Sequence, residues 1–536
     1  MRRSECRRTA GLRLIKRLTG ENRLSSLLPP SRRFAATVLL GLLTLGGTIT
    51  GTAQDARADY TLVVDKNEDR GIWEGWGCSL CWWANGVGGS AYQNLYADLL
   101  FTQKTVGFLG KPLPGLGMNI VRYNVGGVGR GDTIGETTEN IPSDFPFFKR
   151  IEGFWKDGKN ADPASGSWDW SRDPNQRNML QAARERGVNQ IEFFSNAPLW
   201  WMTDKKSSAG GALLAENRRG FARYLATVVK QAQDHRRVPV SFIEPFNEPS
   251  AGWWNYPGGQ EGCNLPAEQQ KEILGYLREE LDSRGLASVP ISGSDENSVD
   301  RAETTHKYFE GQTVSVNGKP RNVADLLPKV NAHSYYGLQP MRDNAARQRF
   351  RTVLGDRRLW MSEYGDNEGS GMTLAQTILE DLTYLKPTAW IYWQPVEPSS
   401  AWGLVNGDYA EISTLSDPAR GTPKWVYYKY YVMAQFTRFL RPGYRILGSS
   451  DHNTIAAYDA AAHKLVLITL NYSTSQSITY DLAGLSQVGA SASVTVTNTN
   501  GTRLFQNSTV IVSGKQLRLN VEANSVHSVV VSGVTL

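Results

Sequence analysis

Two glutamates are the residues in this chain best placed to do chemistry. The stretch SFIEPFNEPS, residues 241–250, closes a short apolar run with two Glu-Pro pairs, so Glu244 and Glu248 fall where a strand runs out. Proline removes a backbone donor and keeps the preceding residue extended, so Pro245 and Pro249 stiffen that exit. A stiff exit presenting a carboxylate suits a reactive site. Glu248 stands at the tip beside Asn247. Glu244, four residues deeper, is expected inside a barrel or paired with an arginine. A second strand tip, LWMSEYGD (359–366), offers Glu363, followed by Tyr364 and Gly365. Two opposed carboxylates without metal ligands suit cleavage of a glycosidic bond. One keeps its proton for the leaving oxygen while the other attacks the anomeric carbon, and in a retaining site they stand about 5–5.5 Å apart. Burial and mutual repulsion raise one of the two pKa values, so both forms coexist near neutral pH. The plainer reading of either glutamate, a salt-bridge partner, is weakened by the neighbouring Asn247 and Tyr364.

Holding both side chains over one opening needs a frame. Eight short apolar runs supply it: GWGCSLCWW (75–83), MNIVRYNVGG (118–127), QIEFFSNAPLWW (190–201), VSFIEPFNEP (240–249), VPISGSDE (289–296), VNAHSYY (330–336), LWMSEYGD (359–366) and AWIYWQPV (389–396). Helical patterns such as NMLQAARERG, FARYLATVVKQAQD, KEILGYLREELDSRG and TLAQTILEDLTYL lie between them. That alternation predicts a (β/α)8 TIM barrel over 75–435. Runs without polar alternation fit a sheet buried on both faces. Glu248 then caps strand four and Glu363 strand seven, across the mouth from each other. Residues 128–170, rich in Gly, Asp, Pro and aromatics, read as a long loop on the same face. From 436 to 536 the runs KLVLITLNY, SITYDL, ASVTVTNT, STVIVSG, LRLNVEA and SVHSVVVS predict an appended antiparallel β-sandwich. YTLVVD (60–65), within 59–74, is a strand expected to join it.

Charge and composition exclude other classes. The formal charge is +6, but residues 1–58 hold 11 Lys+Arg against 3 Asp+Glu, so the remainder is slightly acidic and has no footprint for nucleic acid. That basic segment, with the apolar run in SRRFAATVLLGLLTLGGTIT, reads as an export signal. Ala56-Arg57-Ala58 fits a small-x-small cleavage site that makes Asp59 the mature start. Ser31-Arg32-Arg33 leaves twin-arginine and general export both open. The expectation is a secreted, monomeric protein with no membrane segment after cleavage. Cys78, Cys81 and Cys263 then remain, and in an oxidising compartment Cys263 is expected to pair with Cys78 or Cys81. No second CxxC or His pair completes a zinc site, so no metal or cofactor is expected. Sixteen Trp and 22 Tyr are many, and aromatics stack on sugar rings as well as filling cores.

With FNEP and WMSEYGD in view, the chain resembles glycoside hydrolase family 30 over nearly all of 60–536. The resemblance implies a retaining barrel enzyme with Glu248 as acid/base and Glu363 as nucleophile. It further implies that Asn247 binds the sugar 2-hydroxyl and that Arg122 holds Glu363 ionised. Tyr335 would hydrogen-bond the nucleophile, and Trp393, after strand eight, would floor the first subsite. His333 reads as a core histidine. GWGCSLCWWANGVGG, SNAPLWWMTDKKSSAGG and Trp253-Trp254 look most like the endo-β-1,6-galactanases of that family, with Trp82, Trp201 and Trp253 as stacking candidates. The implied partner is a β-linked galactan polysaccharide. Other members cut β-1,6-glucan or glucuronoxylan, and a non-catalytic carbohydrate-binding protein is the reading from another class.

Overall fold

The computed structural model describes residues 59–130, 139–335, 343–410 and 417–536; the expected export leader, 1–58, lies outside them. Eight strands form one sheet: Gly75–Ser79, Ile120–Asn124, Gln190–Phe194, Phe242–Glu244, Ser292–Glu296, Lys329–His333, Arg358–Tyr364 and Ala389–Tyr392. They are numbered one to eight below. Every neighbouring pair is parallel, and a parallel bridge between Ile243 and Ile291 closes strand four onto strand five. This is the TIM barrel that the alternation predicts. Its strands bury every residue of Ile120–Asn124 and Ala389–Tyr392, as a sheet covered on both faces must.

The helical patterns appear as Pro174–Arg184, Arg218–Arg236, Ala267–Ser283 and Met372–Glu380, the last continuing as a π-helical turn, Asp381–Leu385. Helix Arg218–Arg236 buries Phe221, Ala222, Leu225, Val228, Val229 and Ala232, the stripe spacing that seats a helix on a sheet. Pro174 opens its helix at a position where the missing N–H costs nothing.

The second sheet has nine strands, and it is mixed rather than purely antiparallel. The N-terminal strand, Tyr60–Ile72, causes this. Tyr60–Val63 runs parallel to Gln476–Asp481, and the rest runs antiparallel to Arg445–Ser449. One long strand thus ties both parts of the sheet around a core of Leu62, Val64, Leu467, Tyr480, Leu517 and Val529. Helix Tyr428–Thr437, buried at nearly every position, joins this sheet to the barrel, and Ser528 Oγ donates to the Gln435 carbonyl at 3.0 Å.

The expected disulfide is not formed. Cys78, Cys81 and Cys263 are all free and buried. Cys81 faces the Asn196 amide at 3.2 Å, whereas Cys263 lies on the short strand Gly262–Asn264 against the Gly211 carbonyl. Among the described residues no helix is long and apolar enough to cross a membrane.

Candidate active site

Glu248 sits in a bend four residues past strand four, with a left-handed φ of +46° that glutamate seldom adopts. The bend is fastened on both sides. The Glu248 N–H donates to the Asp295 carbonyl at 2.8 Å, and the Glu248 carbonyl accepts from Ala251 N–H at 3.0 Å and from the Trp254 indole at 2.9 Å. Asp295, on strand five, is itself left-handed at φ +58°. Such residues cost about 1–3 kcal/mol each and persist where a side chain must be aimed. Glu363 is the penultimate residue of strand seven. One carboxylate oxygen from each glutamate and a ring nitrogen of His333 lie within 4.8 Å of one another.

A buried charge network holds this pair. Arg122, on strand two, reaches Glu192 at 2.9 Å, the Asp295 carboxylate, the Ser362 carbonyl at 3.2 Å and Glu363 at 3.5 Å. The Tyr335 hydroxyl donates to Glu363 at 3.2 Å. His333 was expected to be an ordinary core histidine, and the structure corrects this. Its Nδ1 is 3.3 Å from Glu248 and 3.6 Å from Glu363, while Nε2 is 3.3 Å from Asp295. Burial works against a charge there, but Glu363 and Asp295 outweigh it and push the imidazole up to about 10. His333 is therefore an imidazolium wedged between three carboxylates. Burial likewise works against the Asp295 charge, yet Arg122 and His333 hold that carboxyl well below its usual range.

Burial pushes Glu363 up to about 7. His333 pulls against this, the Glu248 charge adds to it, and Arg122 opposes it. Glu248 and Glu363 form a pair of facing carboxylates. The donors decide which member is bare, because Arg122 and Tyr335 both point at Glu363. Of the two expectations for Glu244 the first holds: it lies inside the barrel, accepting from the Asn331 amide at 3.1 Å and the Phe246 N–H at 3.3 Å. Burial, with Asp295 and Glu192 nearby, raises it well above the carboxylate range.

The other expected residues divide. Asn247 is buried beside Glu248, and its Oδ1 has no hydrogen-bond partner among the described residues, an orphaned acceptor at the position expected to meet a sugar hydroxyl. Trp393 follows strand eight, its N–H bonded to the Tyr364 carbonyl at 2.8 Å. Trp82 meets it edge-on at 5.1 Å between ring centroids, but the Lys149 ammonium covers a Trp82 face at 4.2 Å, so that face is closed to a stacking sugar. Trp253 is half exposed and packs edge-on against Trp254, which holds Glu248. Trp201 instead fastens the 139–170 loop, donating to the Trp155 carbonyl at 3.0 Å and packing on the Trp155 ring. Trp402, which the sequence reading passed over, lies at the rim near Tyr335 and over Gly365.

A parallel barrel with carboxylates converging from strands four and seven defines a class, the barrel glycoside hydrolases. Residues 59–405 match the family described as O-Glycosyl hydrolase family 30, and the chain belongs to that family. It is 38% identical over 493 residues to an endo-β-1,6-galactanase of Hypocrea rufa, across 90% of this chain and 97% of that protein. An exo-β-1,6-galactobiohydrolase of Bifidobacterium longum subsp. longum is 24% identical over 470 residues, which span 68% of this chain and 29% of that protein. Among solved structures, a conserved exported protein of Bacteroides fragilis superposes with a TM-score of 0.68 at 20% identity, over 88% of this chain and all of that one. The catalytic domain of xylanase C from Talaromyces cellulolyticus gives 0.64 at 19% identity with the same coverage. These two share the fold.

Proposed function

We propose that this glycoside hydrolase is an exported, retaining endo-β-1,6-galactanase acting on the β-1,6-galactan side chains of arabinogalactan. The observation that carries the retaining mechanism is the approach of the two carboxylates, with oxygens within 4.8 Å. That approach favours a retaining site over an inverting one, where the carboxyls stand roughly 6.5–9.5 Å apart to admit a water. The linkage rests on the 38% identical relative that covers almost the whole chain. Export rests on the basic, apolar leader.

In this reading Glu363 attacks the anomeric carbon and the C–O bond to the leaving sugar breaks. Glu248 gives its proton to the departing oxygen. Glu248 then takes a proton from water, which displaces Glu363 and regenerates both groups. Arg122 and Tyr335 keep the attacking oxygens bare and aimed. Asn247 meets the 2-hydroxyl, a contact that strengthens as positive charge grows on the sugar ring.

Incubation with de-arabinosylated arabinogalactan should release β-1,6-galacto-oligosaccharides. Turnover of β-1,6-glucan or glucuronoxylan, with none of galactan, overturns the specificity. First-formed products of inverted anomeric configuration overturn the mechanism.

A further inference from the structure

Three loops from adjacent strands meet around Trp82, whose neighbour Cys81 lies within the field of Glu363, and they hold polar groups that the catalytic cycle does not use. Strand one ends into Cys81-Trp82. The loop after strand two carries the short 3-10 turn Phe147–Lys149. Strand eight runs on through Trp393 and Gln394 to Glu397. These strands are neighbours in the order eight, one, two.

Each part is fixed from behind. The buried Asn85 amide donates to the Phe148 and Arg150 carbonyls at 3.0 and 3.2 Å, pinning the turn that bears Lys149. The Gln394 side chain accepts from the Trp82 N–H at 2.8 Å and donates to the Glu397 carboxylate. One of the groups these anchors present is left without a partner. The Trp82 indole is 5% exposed and its Nε1 has no partner among the described residues. The Lys149 ammonium rests on the Trp82 ring, with Glu397 attracting it from beyond ion-pair distance. Burial pushes the Glu397 carboxyl up to about 7, against the pull of Lys149 and the hydrogen bond from Gln394. A buried indole N–H without an acceptor has lost its water and gained nothing in return.

We propose that Lys149, Glu397 and Trp82 form a hydroxyl-reading subsite for a neutral hexosyl unit adjoining the cleaved bond. One sugar hydroxyl bridges the pair, accepting from Lys149 and donating to Glu397, and a second oxygen of the same ring accepts from Trp82 Nε1. A neutral sugar fits better than a uronate, because a carboxylate drawn to Lys149 would also face Glu397. Lys149 and Glu397 are thus specificity-determining residues that do not touch the reacting atoms. The identity of the hexose as galactose rests on the galactanase reading; the subsite does not.

The test compares Lys149→Met and Trp82→Phe with the parent on β-1,6-galacto-oligosaccharides of increasing length. The subsite predicts a fall in kcat/KM of about 10- to 100-fold for Lys149→Met, the range for a hydrogen bond to a charged group, and of about 5-fold for Trp82→Phe. The loss should appear mainly in KM, because this binding is shared by ground and transition states. Melting temperatures should stay near that of the parent. A kcat/KM within twofold of the parent for both variants overturns the subsite. So does a lowered melting temperature with unchanged KM, which marks a structural pair. If the parent ignores galactan but cuts another β-glycan, the galactan reading fails, and the same ratios on that glycan decide the subsite separately.

Discussion

Replacing His333 by Asn would keep a hydrogen-bond donor between the two glutamates but remove its positive charge. The imidazole nitrogen is 3.6 Å from Glu363 and 3.3 Å from Glu248. Two unit charges about 4 Å apart interact by about 4 kcal/mol at an effective dielectric of 20. Arg122 remains, and water entering the smaller side chain's space absorbs roughly half of the effect. About 1.5–3 kcal/mol remains, which is a rise of about 1–2 units in the Glu363 pKa. The attacking glutamate must be ionised, so kcat/KM falls as pH drops through its pKa in the free enzyme. The parent should show that acid limb near 7, and His333→Asn should move it upward by about 1–2 units. The assay is kcat/KM across pH on an aryl β-galactoside, with circular dichroism confirming the fold. A folded variant whose acid limb stays within a few tenths of a unit of the parent's would refute the charge role given to His333. Stability provides an independent check. The His333 pKa is raised from 6.5 to about 10 on folding. Its contribution is therefore fully present below 6.5 and lost as pH rises through about 10. The melting-temperature gap between parent and variant should narrow over that window.

Further outcomes follow from the same geometry. Tyr335→Phe removes a donor 3.2 Å from Glu363; it should lower kcat/KM by about 10- to 100-fold and raise the acid limb by about one unit, read in the same pH series. Glu248→Gln should cost about 10²- to 10⁴-fold on galactan, far less on an aryl galactoside with a good leaving group, and azide should rescue it as a β-galactosyl azide detectable by NMR. Glu363→Gln should abolish turnover on both substrates while calorimetry still detects oligosaccharide binding. A chain beginning at Asp59 should show three reactive thiols in denaturant and none when native. Burial raises all three, Cys263 up to about 12, and masks them from reagent.

The barrel was legible because its strands are continuous apolar runs, which only a doubly covered sheet accommodates. The glutamates stood out because each ends such a run where a polar residue has no structural reason to be. His333 was hidden by the same rule: within VNAHSYY it looks like core, and only the barrel's curvature turns it toward Glu248 and Glu363. Asp295 left a faint trace as the acid near the end of VPISGSDE, the same strand-tip pattern one strand beyond Glu248. Lys149 left none, since its position depends on Asn85 catching a turn more than sixty residues away. Indole count says nothing of what each ring faces, so Trp201, which fastens a loop, resembles Trp393 in sequence. Cysteine spacing is equally silent on direction, and the expected pairing failed because Cys81 and Cys263 face different partners.

The central claim is that Glu363 becomes covalently bonded to the sugar while Glu248 handles the proton. Incubating the enzyme with a 2-deoxy-2-fluoro-β-galactosyl fluoride, then digesting it and mapping the adduct by mass spectrometry, tests that claim directly. The account predicts one fluorogalactosyl ester, on the peptide containing WMSEYGD, at Glu363. A label on Glu248, or steady hydrolysis of the reagent to the inverted sugar without any adduct, would contradict it.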